Sequence, residues 1–460
     1  MKRRPLITSL ITSLQLFLLL AGFALCIEAQ GKNPVILVPG LTGSELLHKE
    51  TGERVWFRAI KSKKEDLRLP ISADLSKNRD DLIPGDILRT IKVGPFAITD
   101  VYGGFVASMQ ARGGYTEEKW ASPSANGYRD ALYVFTYDWR LDAVDNARRL
   151  FNDVEALKIK LKKPDLKFDI VAHSLGGIIS RYAAMYGNAD LPTDVRGIKP
   201  TWAGAKHFNK IVLMGTPNEG SVLSLSSLTN GLSVGGVRID LPFLEDTSKF
   251  TVFTIPSAYQ LLPAPGTFKV YDDRLEPLEI DIYDPKVWKT YGWSIIDDKD
   301  FPDRFSTAEI KSAESYFRAV LDRAKRMHLA LGANAGTSPG ISFQVLGADC
   351  KSALDSIVLY KDQMTDKWVT LFRPRGFTRW DGEKISTSEL QKLMMAPGDG
   401  VVTRRSLETR RPGSIGELPG KFICSDHARL AANTQIQDHI IAWLGHKTKL
   451  ADHSAENQIK

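Results

Sequence analysis

The sequence predicts an α/β fold in which a mostly parallel central sheet is flanked by helices on both faces. From residue 33 onward, short β-branched apolar runs alternate with longer stretches whose apolar residues recur at helical spacing. Of the 460 residues, 43% are hydrophobic and 25% are charged, which is typical of a globular chain with material for a large core.

Six short apolar runs are predicted to be buried strands of this sheet. In chain order they cover residues 34–38, 132–135, 168–172, 210–214, 341–347 and 421–424. Three stretches with a helical apolar stripe are predicted to pack on the sheet, within residues 144–161, 310–331 and 429–444.

Two stretches fit this alternation poorly and are predicted to be insertions near residues 51–99 and 221–305. The first is charged and irregular, and the second mixes Gly, Ser, Pro and aromatic residues. Long excursions from a compact domain usually carry function, so we expect a cap or lid over a site. The domain as a whole is predicted over residues 30–447, followed by a polar tail at 448–460.

The N-terminal residues predict export. Lys2, Arg3 and Arg4 precede an apolar stretch that ends in small residues near Ala29, so residues 1–29 are interpreted as a secretory signal peptide. An uncleaved membrane anchor is the first alternative, and a lipid-modified Cys26 is a more distant one, disfavoured by the bulky Leu25. We expect a periplasmic or extracellular protein, or an anchored one under the first alternative.

The segment FDIVAHSLGGIISRYAA, residues 168–184, predicts a nucleophilic serine. A buried strand runs into Ser174 and a helix follows it, which is the layout of a nucleophile elbow. The turn is so tight that the residues two before and two after the serine must be small. Ala172 and Gly176 meet this requirement, although alanine replaces the glycine usual at the first position. The fold class predicted is therefore the α/β-hydrolase fold.

A serine hydroxyl is a weak nucleophile at neutral pH, so Ser174 needs a histidine base, which in turn needs an orienting carboxylate. In this fold they follow in the order serine, acid, histidine. Among the later histidines, His427 alone directly follows a late predicted strand, in KFICSDHARL, and is our candidate for the base. His328 and His439 are predicted on helix surfaces, and His446 and His453 in the polar tail.

The candidate acid is Asp399, which lies between two glycines in APGDGVVTRRSL and is followed by two valines that can anchor the loop in the core. Asp349 is the alternative, because it follows the strand predicted at 341–347 and the acid often comes directly after that strand. Asp426 adjoins His427 too closely to orient its ring.

Acyl transfer also needs donors for the oxyanion of the tetrahedral intermediate. They are usually the N–H after the serine and one from the loop after an early strand. These would be the backbone N–H groups of Leu175 and Leu41. The preceding Gly40 has no side chain that would keep the backbone from the substrate.

Six motifs together resemble the lecithin:cholesterol acyltransferase and lysosomal phospholipase A2-like family of α/β-hydrolases in order and spacing. They are NPVILVPGLTGSEL, TYDWRL at 136–141, VAHSLGG, LMGTPNEGS, GDGVVTRRSL and DHARLAANTQIQDHIIAWL. The resemblance implies a lipid acyl donor, an acyl-serine intermediate and no metal or organic cofactor. It also implies that the acid of the GDG loop and the histidine opening the last helix complete the triad.

The chain departs from the animal members in one respect, since residues 51–99 contain no cysteine pair to pin a loop at the lipid surface. Cys350 and Cys424 lie near the ends of two strands expected to be neighbours, so we expect a disulfide between them, with two buried free thiols as the alternative.

The predicted function is therefore that of a serine-dependent O-acyltransferase, phospholipase or lipase, with a lipid or ester substrate at a membrane or lipid surface. A secreted small-ester esterase and a non-catalytic lipid-binding protein with a hydrolase fold are the alternatives. The net charge of +7 falls to a mild +5 when residues 1–29, with Lys2, Arg3, Arg4 and Glu28, are removed, and neither a nucleic-acid module nor a zinc spacing is present.

Overall fold

A parallel sheet of seven strands forms the centre of the protein. The structure is a computed structural model, which describes residues 31–57, 67–93, 96–232, 247–334, 336, 338–409 and 420–445. The predicted signal or anchor with Cys26, the predicted polar tail, and both His446 and His453 lie outside the described residues. From one edge to the other, the strands are β7 (Thr116–Glu118), β8 (Ala131–Val134), β1 (Val35–Val38), β9 (Phe168–His173), β10 (Phe208–Met214), β12 (Ser342–Gly347) and β19 (Gly420–Phe422).

All six predicted strands are confirmed, with ends that move by one or two residues. Every neighbouring pair of strands runs parallel. The seventh strand, β7, is missing from the prediction because its residues, TEE, carry no apolar signal. It pairs at the sheet edge, where only one side of the strand needs a hydrogen-bonded neighbour.

The sheet is buried on both faces, which explains why its strands read as continuous apolar runs. Along β1, Ile36 and Val38 belong to one hydrophobic cluster, while Val35 and Leu37 belong to the other. Successive side chains of a strand point to opposite faces, so the two clusters are the cores on either side of the sheet. This confirms the predicted α/β-hydrolase architecture.

Eleven helices of the described residues flank the sheet or lie in the excursions from it. They are α1 (Gly103–Ala111), α2 (Ala143–Lys160), α3 (Leu175–Tyr186), α4 (Val222–Asn230), α5 (Lys249–Phe253), α6 (Pro256–Tyr259), α7 (Pro285–Thr290), α8 (Thr307–Leu331), α9 (Thr387–Met394), α10 (Arg404–Glu408) and α11 (Thr434–Gly445). Within these residues, no helix combines the length and the apolar character needed to cross a membrane.

The prediction for the start of the last helix is wrong. Helix α11 begins at Thr434, not near residue 429, and residues His427–Arg429 form a separate short 3-10 turn. The side chain of Asn433 accepts hydrogen bonds from the N–H groups of Gln435 and Ile436 at 3.0 and 3.2 Å. An asparagine that binds the first free N–H groups in this way starts a helix, so the apolar spacing extends further than the helix does.

The stretch predicted as the first insertion contains small antiparallel sheets, and the second contains mostly short helices. The strands in and beside the first are β2 (Ser44–His48), β3 (Arg54–Trp56), β4 (Leu82–Ile87), β5 (Thr90–Val93) and β6 (Phe96–Asp100). The second stretch holds helices α4 to α7 and strand β11 (Lys269–Tyr271).

A third excursion, residues 348–398, is not predicted from the sequence. It leaves the sheet at the end of β12 and contains α9 and six short strands. These are β13 (Lys351–Leu354), β14 (Ser356–Lys361), β15 (Trp368–Leu371), β16 (Phe377–Thr378), β17 (Lys384–Ile385) and β18 (Met395–Gly398). Strand β14 pairs with β11, so this excursion packs against the second insertion.

The TYDWRL block and the adjacent Asp142 tie the insertions to the core through buried charges. Arg140, whose side chain is fully buried, donates to Asp138 in the same block and to both carboxylate oxygens of Asp80, each at 2.7 Å. Asp142 accepts hydrogen bonds from Gln260 at 3.0 Å and from Arg323 at 2.8 Å. Asp80 lies in the first insertion and Gln260 in the second, so one short segment holds both.

We expect Arg140→Ala to lower the free energy of unfolding by about 3–5 kcal/mol, because it leaves the carboxylate of Asp138 buried without its partner. Denaturation in urea measures the loss. The control is Arg196→Ala, which removes a surface pair between Arg196 and Asp194 and should leave the midpoint unchanged, since the Arg196 side chain is 91% exposed. Equal midpoints for Arg140→Ala and the unaltered protein would contradict this role.

Candidate active site

Ser174 lies at the carboxyl edge of the sheet, in a turn between β9 and α3. Its backbone has a φ of 52° and a ψ of −123°, a left-handed conformation that is costly for any residue except glycine. Its N–H donates to the carbonyl oxygen of Met214 at the end of β10, at 2.9 Å. The serine is therefore lifted out of the strand and is only 8% exposed.

The two glycines after the serine are required by contacts with both neighbouring strands. A Cβ on Gly176 would lie 2.5 Å from the carbonyl oxygens of Val38 and Pro39. A Cβ on Gly177 would lie 1.9 Å from the hydroxyl of Thr216. Both distances are shorter than real contacts allow, so helix α3 can start against the sheet only with glycine at these positions.

The structure brings Ser174, His427 and Asp399 together in one hydrogen-bonded chain. The Oγ of Ser174 lies 3.0 Å from Nε2 of His427, and Nδ1 of His427 lies 2.7 Å from Oδ2 of Asp399. The N–H of His427 also donates to the main-chain oxygen of Asp399 at 2.9 Å. Three residues far apart in the sequence thus have the geometry expected of a nucleophile, a base and an acid.

The surroundings of Asp399 keep its carboxyl group ionised. Burial alone would raise the pKa of this carboxyl, but His427 and the N–H groups of Val401 and Val402 outweigh burial and hold the pKa below its ordinary value. The two N–H groups donate to Oδ1 at 3.0 and 2.8 Å. An ionised Asp399 accepts a hydrogen bond from the N–H at Nδ1 of His427, which leaves Nε2 unprotonated and able to accept the proton of Ser174.

The alternative acids point elsewhere. Asp349 forms an ion pair with Arg404 at 2.8 Å, and Asp426 lies 3.4 Å from Lys351. Among the alternative histidines, His439 is half-buried beside Gln344. His328 is only 2% exposed, so the prediction that it lies on a helix surface is wrong: it belongs to the inward face of α8 beside Met327.

The residues predicted to form the oxyanion hole lie on both sides of Ser174. Leu175 is the first residue of α3, so its N–H is one of the four that have no partner within a helix. Leu41 follows Gly40, where a Cβ would lie only 2.9 Å from the Cβ of Ser174. The backbone of this loop therefore lies in contact with Ser174.

A disulfide joins the regions that carry the acid and the base. Cys350 and Cys424 are bonded, with their Cα atoms 5.5 Å apart. Cys424 lies three residues before His427, and Cys350 precedes β13, which pairs with the strand that ends at Gly398, next to Asp399. Of the described residues, no three His, Cys, Asp or Glu side chains are grouped so that they could hold a metal ion.

Two side chains beside the triad are missing from the sequence prediction. His173 immediately precedes the nucleophile, and its ring centroid lies 5.0 Å from that of His427. Tyr102 contacts His173 from the start of α1. The position of His173 directly before Ser174 is a sequence signal that points to a place beside the site, whereas nothing in the sequence singles out Tyr102.

Comparison with known proteins supports the same interpretation. The family model described as lecithin:cholesterol acyltransferase matches residues 116–297, a range that includes Ser174 and the TYDWRL block. This match confirms the resemblance. Asp399 and His427 lie beyond it, so their assignment depends on geometry.

An uncharacterized yeast protein, YJR098C of Saccharomyces cerevisiae, is 24% identical over 270 residues, which are 57% of this chain and 34% of the yeast protein. The chain thus matches about a third of the length of this curated relative. The crystal structure of the Tle4-Tli4 complex aligns with 89% of this chain and 97% of its own, at 13% identity and a TM-score of 0.52. At this identity the likeness concerns the fold alone.

We expect Asp399→Asn to lower kcat by about a thousandfold or more, because an amide can neither stabilise the imidazolium nor fix the ring of His427 in the required tautomer. Steady-state hydrolysis of a chromogenic ester measures the effect. The matched control is Asp349→Asn, which changes the alternative acid and should leave kcat unchanged because Asp349 faces Arg404. A larger loss in the control would show that the acid is wrongly assigned.

Proposed function

We propose that the protein is a serine-dependent acyl-ester enzyme of lipid metabolism, an O-acyltransferase or phospholipase that acts through an acyl-serine intermediate. One observation carries the proposal: the hydrogen-bonded chain from Ser174 through His427 to the buried carboxylate of Asp399. The family match adds the expectation of a lipid substrate.

The first half-reaction transfers the acyl group to the serine. The Oγ of Ser174 attacks the ester carbonyl carbon while Nε2 of His427 accepts the hydroxyl proton. The N–H groups of Leu41 and Leu175 stabilise the resulting oxyanion. The bond between the carbonyl carbon and the alcohol oxygen then breaks, and the alcohol leaves with the proton that His427 returns.

The second half-reaction repeats these steps with a new nucleophile. Water or an acceptor alcohol gives its proton to Nε2 of His427 and attacks the acyl-serine, and Ser174 leaves with the proton from the imidazolium. Water yields a fatty acid, and an alcohol yields a new ester. How well the closed site excludes water and holds the acceptor decides between them.

We propose a lipid surface as the partner of this site. Met364, Trp380 and Trp368 are 95%, 68% and 36% exposed, and all belong to the third excursion, which leaves the sheet at the same edge as Ser174. Exposed large apolar side chains are costly in water and enter a membrane interface favourably. Exposed basic side chains lie nearby in the chain, including Lys367 and Arg375, and suit anionic headgroups.

Export is the proposed setting for this activity. The basic and apolar N-terminal sequence supports it, and so does the disulfide between Cys350 and Cys424, because disulfides persist in oxidising compartments. A lipid-facing enzyme outside the cytoplasm would meet its substrate at a membrane or a lipid particle.

Incubation with vesicles of isotope-labelled phospholipid and a long-chain alcohol tests the activity. We expect mass spectrometry to find labelled fatty acid, labelled ester of the alcohol, or both, and Ser174→Ala to abolish them because the nucleophile is lost. Ser312→Ala, on the exposed side of α8, is the control and should retain full activity. A fluorophosphonate should label Ser174 alone. Product formation that persists in Ser174→Ala would refute the proposal.

The lipid surface is tested by replacing Met364 and Trp380 together with serine. We expect binding to anionic phospholipid vesicles to fall about tenfold or more, since each side chain loses roughly 1–3 kcal/mol of apolar burial. Cosedimentation measures binding, and turnover of a soluble short-chain ester should stay unchanged. The control is Ile159→Ser, an equally apolar and 77% exposed site at the end of α2. Vesicle binding that is unaffected by the double substitution would contradict this surface.

A further inference from the structure

A buried hydrogen-bonded chain runs behind the triad and joins the loop after β1 to the backbone of the base. The N–H of Gly40 donates to Oη of Tyr102 at 2.9 Å, and this oxygen lies 2.7 Å from Nδ1 of His173. Nε2 of His173 lies 3.1 Å from the main-chain oxygen of His427. Tyr102 and His173 are 2% and 6% exposed, so solvent does not compete for these bonds.

Only one arrangement of protons fits this chain. The main-chain oxygen of His427 can only accept, so Nε2 of His173 carries a proton and donates it. In a neutral ring Nδ1 then accepts from the hydroxyl of Tyr102, whose oxygen in turn accepts from Gly40. Burial and the neighbouring His427 lower the pKa of His173 to about 3, so its ring stays neutral. Burial raises the pKa of Tyr102, which therefore keeps its proton.

One end of the chain fixes the loop that carries Leu41. Gly40 lies against both Ser174 and His173, because a Cβ on Gly40 would lie 2.9 Å from the Cβ of Ser174 and 3.2 Å from Nδ1 of His173. Other hydrogen bonds hold the same loop: Tyr137 donates to the oxygen of Pro39 at 2.8 Å, the indole of Trp56 donates to the oxygen of Thr42 at 2.9 Å, and the N–H of Leu88 donates to the oxygen of Gly43 at 2.8 Å. None of these three donors belongs to the loop of His427, whereas Tyr102 is linked to that loop through His173.

The other end of the chain fixes the base. The peptide of His427 is held from two directions, since its oxygen accepts from His173 while its N–H donates to the oxygen of Asp399 at 2.9 Å. Rotation of the ring then remains restrained by Asp399 through Nδ1. The placement of Nε2 against Ser174 depends on this backbone position.

We propose that Tyr102 and His173 are positioning residues, which hold the oxyanion donor Leu41 and the base His427 at a fixed separation across Ser174. The inference rests on the proposed function of the triad. Neither side chain transfers a proton to the substrate; both act through the backbone of other residues. Of the Tyr102 side chain, these hydrogen bonds require only the hydroxyl group.

Tyr102→Phe should therefore lower kcat and the rate of Ser174 phosphonylation by a fluorophosphonate about 10- to 100-fold. Misplacement of a reacting group by about 1 Å costs on the order of 100-fold, and the loss of an oxyanion donor costs about 100- to 1,000-fold. KM should change less than about threefold, because the missing hydroxyl does not contact substrate.

His173 is tested with two variants. His173→Leu removes both hydrogen bonds and should cause a loss similar to that of Tyr102→Phe. His173→Gln carries an amide oxygen that can accept from Tyr102 and an amide N–H that can donate to His427. Its rate should therefore be about tenfold higher than that of His173→Leu. Recovery by the amide would not follow from a purely steric role of the ring.

Tyr133→Phe is the matched control. Tyr133 is fully buried in β8, and its hydroxyl donates to the oxygen of Gly127 at 2.9 Å, away from the triad. We expect it to lower the midpoint of thermal unfolding about as much as Tyr102→Phe does, with kcat and the phosphonylation rate unchanged.

Equal rates for Tyr102→Phe and the unaltered protein would overturn the proposal, and so would an equal loss of rate in Tyr133→Phe. Failure of the proposed function has a different signature. In that case the unaltered protein shows no release of acyl groups from phospholipid that depends on Ser174. The phosphonylation rates of the four variants still test the positioning role.

Discussion

Ser174 adopts a left-handed backbone conformation, with a φ of 52°, and the surrounding structure is arranged to maintain it. Such a conformation costs roughly 1–3 kcal/mol for a residue with a side chain, and it persists only where neighbours over-determine it. Gly176 and Gly177 allow helix α3 to approach Pro39 on one side and Thr216 on the other. The ends of β1 and β10 are therefore held by the same turn, and the loops that leave them begin at defined positions.

The acid and the base reach this turn from a distant part of the chain. Strand β12 and strand β19 are neighbours in the sheet, so the residues that follow them emerge side by side, at the same edge of the sheet as Ser174. The disulfide between Cys350 and Cys424 and the pairing of β13 with β18 then bring Asp399 against His427. The triad is thus held by covalent, main-chain and side-chain links at once, which suits a site where small displacements lower the rate.

The buried charges of the TYDWRL block and of the adjacent Asp142 hold the large insertions against the core. Asp138, Arg140 and Asp142 are buried, which would be costly without partners, but each is paired or hydrogen-bonded. Their partners belong to the first insertion, the second insertion and helix α8. The same block places Tyr137 against Pro39, so the segment that anchors the insertions also supports the loop that carries Leu41.

Features that depend on a local pattern of residues could be predicted from the amino-acid sequence. Buried strands need continuous apolar runs, and a nucleophile elbow needs small residues at two fixed positions, so six strands and Ser174 could be predicted directly. Asp399 and His427 could be predicted because the order of the triad along the chain is fixed by the order of the strands. Other features could be seen only in the folded protein. The hydrogen-bonded chain through Tyr102 and His173, the inward position of His328 and the third excursion all depend on contacts between residues far apart in sequence. A tyrosine or histidine has the same local preferences whether its polar atoms meet a partner or water, so no pattern in the chain distinguishes the two cases.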